Sequence, residues 1–230
     1  MDQAYHIPEH LYHILLTTSH IRKNPNHVVE KVRVPGTYTS LLAAKAAAHS
    51  CLLDAGYEKE WFETYEIMAG HSDEEASTSN YTCGLMVHAT ATDGAIFRVR
   101  IKIVANPAGL TSELPDGRVP VPLYYVIQAS VEDGGDEASL VRVIDVKGTF
   151  TSYEEARKFA STVLLCPKDG ITQGSFAEYS EAEQNETDCG YGDNVVVHAA
   201  SGHGINYLVT VIKNQELEAV GIAEASMRIL

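Results

Sequence analysis

GTYTSLLAAKAAAHSCLL at residues 36–53 and GTFTSYEEARKFASTVLL at residues 148–165 are one local instruction written twice. In each copy a serine, Ser40 or Ser152, stands where a helix N-cap belongs, and Ser152 with Glu155 spells a capping box. Leu41, Ala44, Ala48, Cys51 and Leu52 recur at helical spacing, matched by Tyr153, Ala156, Ala160, Val163 and Leu164. That spacing predicts one apolar helix face, and its alanines allow close approach to a sheet. Asp54-Ala55-Gly56 and Cys166-Pro167 then supply the Gly and Pro that end helices.

The match extends outward from these helices. At an offset of 112, LYHILLT (11–17) lies over LYYVIQA (123–129), and VRVPGTYTS (32–40) over IDVKGTFTS (144–152). The offset becomes 114 where Phe62 and Tyr65 of WFETYEI meet Phe176 and Tyr179 of SFAEYSE. It falls to 110 where LMVHATATDGAIFRVRI (85–101) meets VVVHAASGHGINYLVTV (195–211). Offsets that change only between blocks are what insertions in surface loops produce.

The blocks also declare their structure. LYHILLT and LYYVIQA are short aromatic and β-branched runs that suit strands. HVVEKVRV and LVRVIDV alternate apolar with polar residues, as half-buried strands do. WFETYEI and SFAEYSE read as third strands, and strand alternation places the Phe and Tyr of each on opposite faces. A hairpin follows around Asp93-Gly94, and another through Gly202-His203-Gly204. The expected fold is therefore α+β: two tandem ββαβββ repeats, each an antiparallel sheet with one helix on a face, related by a pseudo-twofold. Residues 1–106 form the first repeat and 123–214 the second. Residues 107–122, rich in Pro and Gly, read as a linker, and 215–230 as a tail that could be helical.

GTYTS/GTFTS, FETY/FAEY and YGDNVVVHA, in tandem, resemble a family of uncharacterised proteins of filamentous fungi. The resemblance covers the chain from about residue 11 to the start of the tail and implies the fold; it implies no activity.

Composition bounds the function. A 45% hydrophobic, 21% charged chain of 230 residues has enough apolar material for a core. A formal charge of −14 opposes phosphate backbones and anionic lipids, so neither nucleic acid nor membrane is an expected partner. The N-terminus lacks the basic region and unbroken apolar core of a signal peptide, which points to the cytosol. Cys51, Cys83, Cys166 and Cys189 are too sparse for a disulfide scaffold and form no C-x-x-C pair. The sequons at Asn80 and Asn185 are then expected to stay unmodified, and the acidic stretches 72–77, 131–139 and 181–188 to be solvated surface.

Candidate chemistry rests on matched pairs. His88 and His198 occupy one repeat position and could act as paired general bases, or as ligands, facing a cleft between the units; a strand histidine satisfied by a neighbouring carbonyl or carboxylate is the plainer reading. Tyr65 and Tyr179 are matched too, as hydroxyls over a cleft or as packing residues with a hydrogen-bonded tip. Trp61, His13 and Tyr125 mark where the repeats differ and are candidate binding residues: His13 faces Tyr125, and Trp61 faces Ser175. The turn CGYGDN (189–194) leads into a strand rather than a helix N-terminus, so it reads as structural and not as a phosphate loop. No metal-ligand spacing, Ser-His-Asp order or nucleotide fingerprint is present, and neither metal nor cofactor is expected. The leading expectation is a non-catalytic binding or interaction protein, its partner an unidentified protein or small molecule and its site at the junction of the repeats. A homodimer is a further alternative. The competing reading is a small-molecule enzyme using acid–base or cavity-templated chemistry, such as an isomerase, cyclase or lyase, with its pocket between or within the repeats.

Overall fold

A computed structural model describes residues 7–20, 31–68, 84–132 and 141–214. The 215–230 tail, the Asn80 sequon, Cys83, the acidic stretch 72–77 and residues 133–139 lie outside the described residues. The chain divides into two compact units, meeting between Val121 and Pro122.

In the first unit β1 (His10–Ser19), β2 (Lys31–Tyr38), α1 (Leu41–Asp54), β3 (Phe62–Ile67), β4 (Leu85–Ala91) and β5 (Ile96–Ala105) follow in order. The second unit repeats them as β6 (Tyr124–Glu132), β7 (Val141–Phe150), α2 (Tyr153–Ala160), β8 (Glu178–Glu181), β9 (Val195–Ala200) and β10 (Ile205–Lys213). Both sheets are fully antiparallel, ordered β2-β1-β5-β4-β3 and β7-β6-β10-β9-β8. Each carries its single α-helix on one face, so the duplicated α+β architecture, two similar halves, is present.

The repeated motif has a local physical reason. Gly36 pairs with Ile14 and Gly148 with Val126, next to a register shift in each sheet. A Cβ on Gly36 would lie 2.9 Å from the Tyr38 ring, and one on Gly148 would lie 2.6 Å from the Phe150 ring. The aromatic two residues on lies over the glycine backbone, which only a residue without a side chain permits. Tyr38 and Phe150 then pack in the core between sheet and helix. Ser40 and Ser152 follow as N-caps, each accepting from a backbone N–H three residues on.

The helices finish differently. Gly56 at φ 86° closes α1, with Gly56 N–H donating to Leu53 O and Tyr57 N–H to Leu52 O, a Schellman motif. The predicted α2 stripe ran to Leu164, but the helix stops at Ala160. Thr162 N–H and Oγ1 both donate to Phe159 O at 3.0 Å, tightening the chain into 3₁₀-like turns. Val163 and Leu164 still pack on the core from those turns. β8 is likewise shorter than SFAEYSE suggests.

Proline and glycine made residues 107–122 look like a linker, yet 107–121 belong to the first unit. Thr39 N–H donates to Gly117 O (2.9 Å), Val119 N–H to Thr37 O (2.8 Å) and Arg118 to Pro35 O (3.1 Å). The segment thus adds backbone bonds to the outer edge of β2, where an unpaired strand would otherwise face solvent. Asn106 fixes its start by donating to Pro8 O and Leu110 O and accepting from Leu110 N–H.

Candidate functional site

Within each unit the matched His and Tyr lie on opposite sides of the sheet. His88 sits between Val87 and Ala89 on β4, both in the core under α1, so its ring points away from the helix. Tyr65 pairs with Ala89 and belongs to that core. In the second unit Tyr179 pairs with Ala199 and packs toward α2, while His198 pairs with Ser180 and Leu208 on the far face. A five-stranded sheet therefore stands between each histidine and its tyrosine.

The tyrosine hydroxyls have equivalent partners. Tyr65 Oη donates to His49 O at 3.3 Å and Tyr179 Oη to Ser161 O at 3.4 Å, each near the end of its helix. Burial raises both phenol pKa values; neighbouring acidic groups, Cys51 with Asp54 and Glu181 respectively, push the same way. Alternation had separated Phe62 from Tyr65, but the two rings lie 5.3 Å apart on one face. The register shift between Phe62 and Thr64 inserts one residue and turns the phenylalanine inward. Phe176, which precedes β8, also meets Tyr179, at 5.7 Å, with no register shift between β8 and β9.

The two histidines share a backbone position and little else. His88 stands between Glu66 and Arg98 on the neighbouring strands. Partial burial lowers its pKa, Arg98 and Arg100 lower it further, and Glu66 opposes them. The alternation in IFRVRIKIVA places Arg98, Arg100 and Lys102 along this face, a signal legible in the sequence but concealed by the acidic total. His198, 5% exposed, lies under the Tyr191 ring at 3.7 Å between centroids and 15° between planes. Its Nε2 is 3.3 Å from Asn206 Oδ1, its Nδ1 is enclosed without a hydrogen-bond partner, and Tyr191 Oη donates to Glu178 at 3.2 Å. The CGYGDN turn, with Gly190, Gly192 and Asn194 at positive φ, carries that tyrosine over β9.

The remaining candidates are packing residues of their units. Trp61 stacks on Tyr57 at 5.2 Å and meets Phe62 and Phe97 edge-on. Tyr125 is fully buried on β6. His13, 0% exposed, has its Nδ1 2.8 Å from Thr37 Oγ1, and burial lowers its pKa to about 3. Burial, with Asp54 nearby, pushes the Cys51 thiol up to about 12, which leaves it unreactive. Among the described residues no group of three or more His, Cys, Asp or Glu side chains is placed to hold a metal ion. No described helix is long and apolar enough to cross a membrane.

The surface that stands out was not among the candidates. α1 reads LLAAKAAAHSCLLD and carries Leu and Ala on its outward side as well as its sheet-facing side, whereas α2 separates polar from apolar sides. Ala44, Ala48, Cys51 and Leu52 face the sheet. On the opposite side Leu42 is 80% exposed and Leu53 is 47% exposed, with Ala46 exposed and His49 partly exposed between them. The same positions in the second copy are Glu154, Lys158, Ser161 and Leu165. The fold thus does not require an apolar residue at 42 or 46. A surface groove of about 420 Å³ is lined by Gly109, Leu110, Thr111, Glu113, Leu114, Pro120 and Val121. Comparison with family models, curated proteins and solved structures finds no match to this chain.

Proposed function

We propose that this chain is a non-catalytic interaction protein of the cytosol and that the outer face of α1 is its contact surface. The observation that carries the reading is Leu42 at 80% exposure, with Leu53 at 47% three turns on, on a helix whose duplicate has Glu154 at the position of Leu42 and Lys158 at that of Ala46. Apolar residues at 42 and 46, where the duplicate is charged, are a cost in water that folding does not explain, and covering them by a partner does. The enzyme reading is weaker within each unit because His88 and Tyr65, or His198 and Tyr179, face opposite sides of a sheet.

A photo-crosslinking phenylalanine analogue placed at position 42, and in a separate variant at 154, tests this in the cells that make the protein. The expected result is a discrete protein adduct from 42 and none from 154. Equal labelling from both positions, or no adduct from 42, overturns the reading.

A further inference from the structure

Resting on that reading, we infer that the partner of α1 is a single amphipathic helix with basic flanks. The outward seam runs Leu42, Ala46, His49, Leu53, a spacing of four, three and four residues, with the His49 ring partly covered. That is the spacing by which one helix seats against another at a shallow crossing angle, each side chain entering a gap between those opposite. Ala46, exposed in the middle, lets a second backbone come close. The seam is three turns long, which a partner helix of similar length covers.

Charge selects the kind of helix. Exposed Asp54, Glu58 and Glu60 stand at the C-terminal end of the seam. At its other end the Asp116–Gly117 turn lies against α1, with the Gly117 Cβ position 3.7 Å from Ala43 Cβ. Glu113 and Asp116 are exposed there. Lys45, Lys59 and Arg118 are the basic residues in the same region against five acidic ones, so the frame is acidic on balance, as is the chain at −14. A helix with Lys or Arg beside its apolar stripe gains attraction, chiefly at the Asp54–Glu60 end, and is steered to the site. A second copy of this chain would bring acidic ends against acidic ends, and an anionic bilayer would be repelled.

Fluorescence anisotropy tests the inference with three labelled 18-residue helical peptides. One has Leu at the seam positions and Lys and Arg on the flanks, one has the same Leu stripe with Glu flanks, and one is a scramble of the first. The basic peptide binds the wild-type protein, weakens about tenfold or more against Leu42→Glu/Leu53→Glu, and loses affinity as salt rises. The other two bind far more weakly. Both leucines are exposed, so circular dichroism of the double variant is expected to match wild type; Leu42→Lys provides a second variant with the opposite charge. Undiminished binding to the double variant overturns the inference, because a cation is then adhering to acidic surface elsewhere. Equal binding of the Glu-flanked peptide removes the basic partner while leaving α1 a contact surface, and absence of binding removes the helical partner. Sedimentation showing a dimer lost in the double variant assigns the face to a second copy. Leu42-dependent co-sedimentation with phosphatidylserine vesicles assigns it to lipid; either result overturns the proposal. An adduct from position 42 survives all of these failures, so the two readings fall separately.

Discussion

His13 is the residue whose burial has the clearest thermodynamic consequence. Its ring is fully enclosed, and its pKa falls from 6.5 to about 3 because the charged form would lose its hydration. Above pH 6.5 the imidazole is neutral in folded and unfolded chains alike and contributes no pH dependence. Below it the unfolded chain takes up a proton that the folded one refuses, so stability is lost as pH falls toward 3. The slope from this one group is about 1.4 kcal/mol per pH unit. Urea unfolding of wild type and His13→Gln between pH 7.5 and 4 reads it: the stability difference between the two proteins is expected to shift against wild type as the solution is acidified. A difference independent of pH would show that the ring is solvated. His88 is lowered in the same direction, but its partial exposure screens the effect.

At the scale of elements, the start of the fourth strand of each unit shows what the duplication kept and what it released. Gly84 and Asn194 are equivalent, at φ 72° and 62°, and accept from Ile101 N–H at 2.8 Å and Val211 N–H at 3.2 Å. A Cβ on Gly84 would stand 2.3 Å from Ile101 O, which is backbone and has little freedom to retreat. Gly84→Ala therefore destabilises by at least about 2 kcal/mol, from the left-handed conformation and the collision together. Asn194→Gly stays within about 1 kcal/mol of wild type, on the stable side, since Asn tolerates that conformation at a small cost. Chemical denaturation of both variants checks the pair; a well-tolerated Gly84→Ala would mean that the fourth strand shifts freely. These elements were largely legible. The glycine–aromatic–serine run announces strand end and cap, and the alternation of β5 and β10 announces their faces. The face of Phe62 was not, because one inserted residue reverses every side chain beyond it and carries no sequence mark.

Across the whole molecule, each unit closes its sheet by pairing its first strand with its last. His10 lies opposite Ala105, and Tyr124 opposite Lys213. Those pairings bring together residues far apart in the chain, and the loop-closure entropy must be met before the central strands reward it. Refolding is accordingly expected in milliseconds to seconds rather than microseconds. Stopped-flow tryptophan fluorescence reads the first unit, since Trp61 is the sole tryptophan and sits in its aromatic cluster. A microsecond phase carrying the full amplitude would contradict the long-range pairing.

Duplication, strand and helix identity and the caps follow from the order of residues, because local periodicity and turn chemistry act over a few positions. The candidate site does not follow in that way. His88 and Tyr65 look like partners along the chain and are separated by a sheet, while CGYGDN looks like a plain turn and delivers Tyr191 onto His198. The α1 seam was written in a helix with leucines on more than one side, but which of them faced water depended on where the sheet lay. Side-chain direction is a property of packing, and packing joins residues that the chain keeps apart.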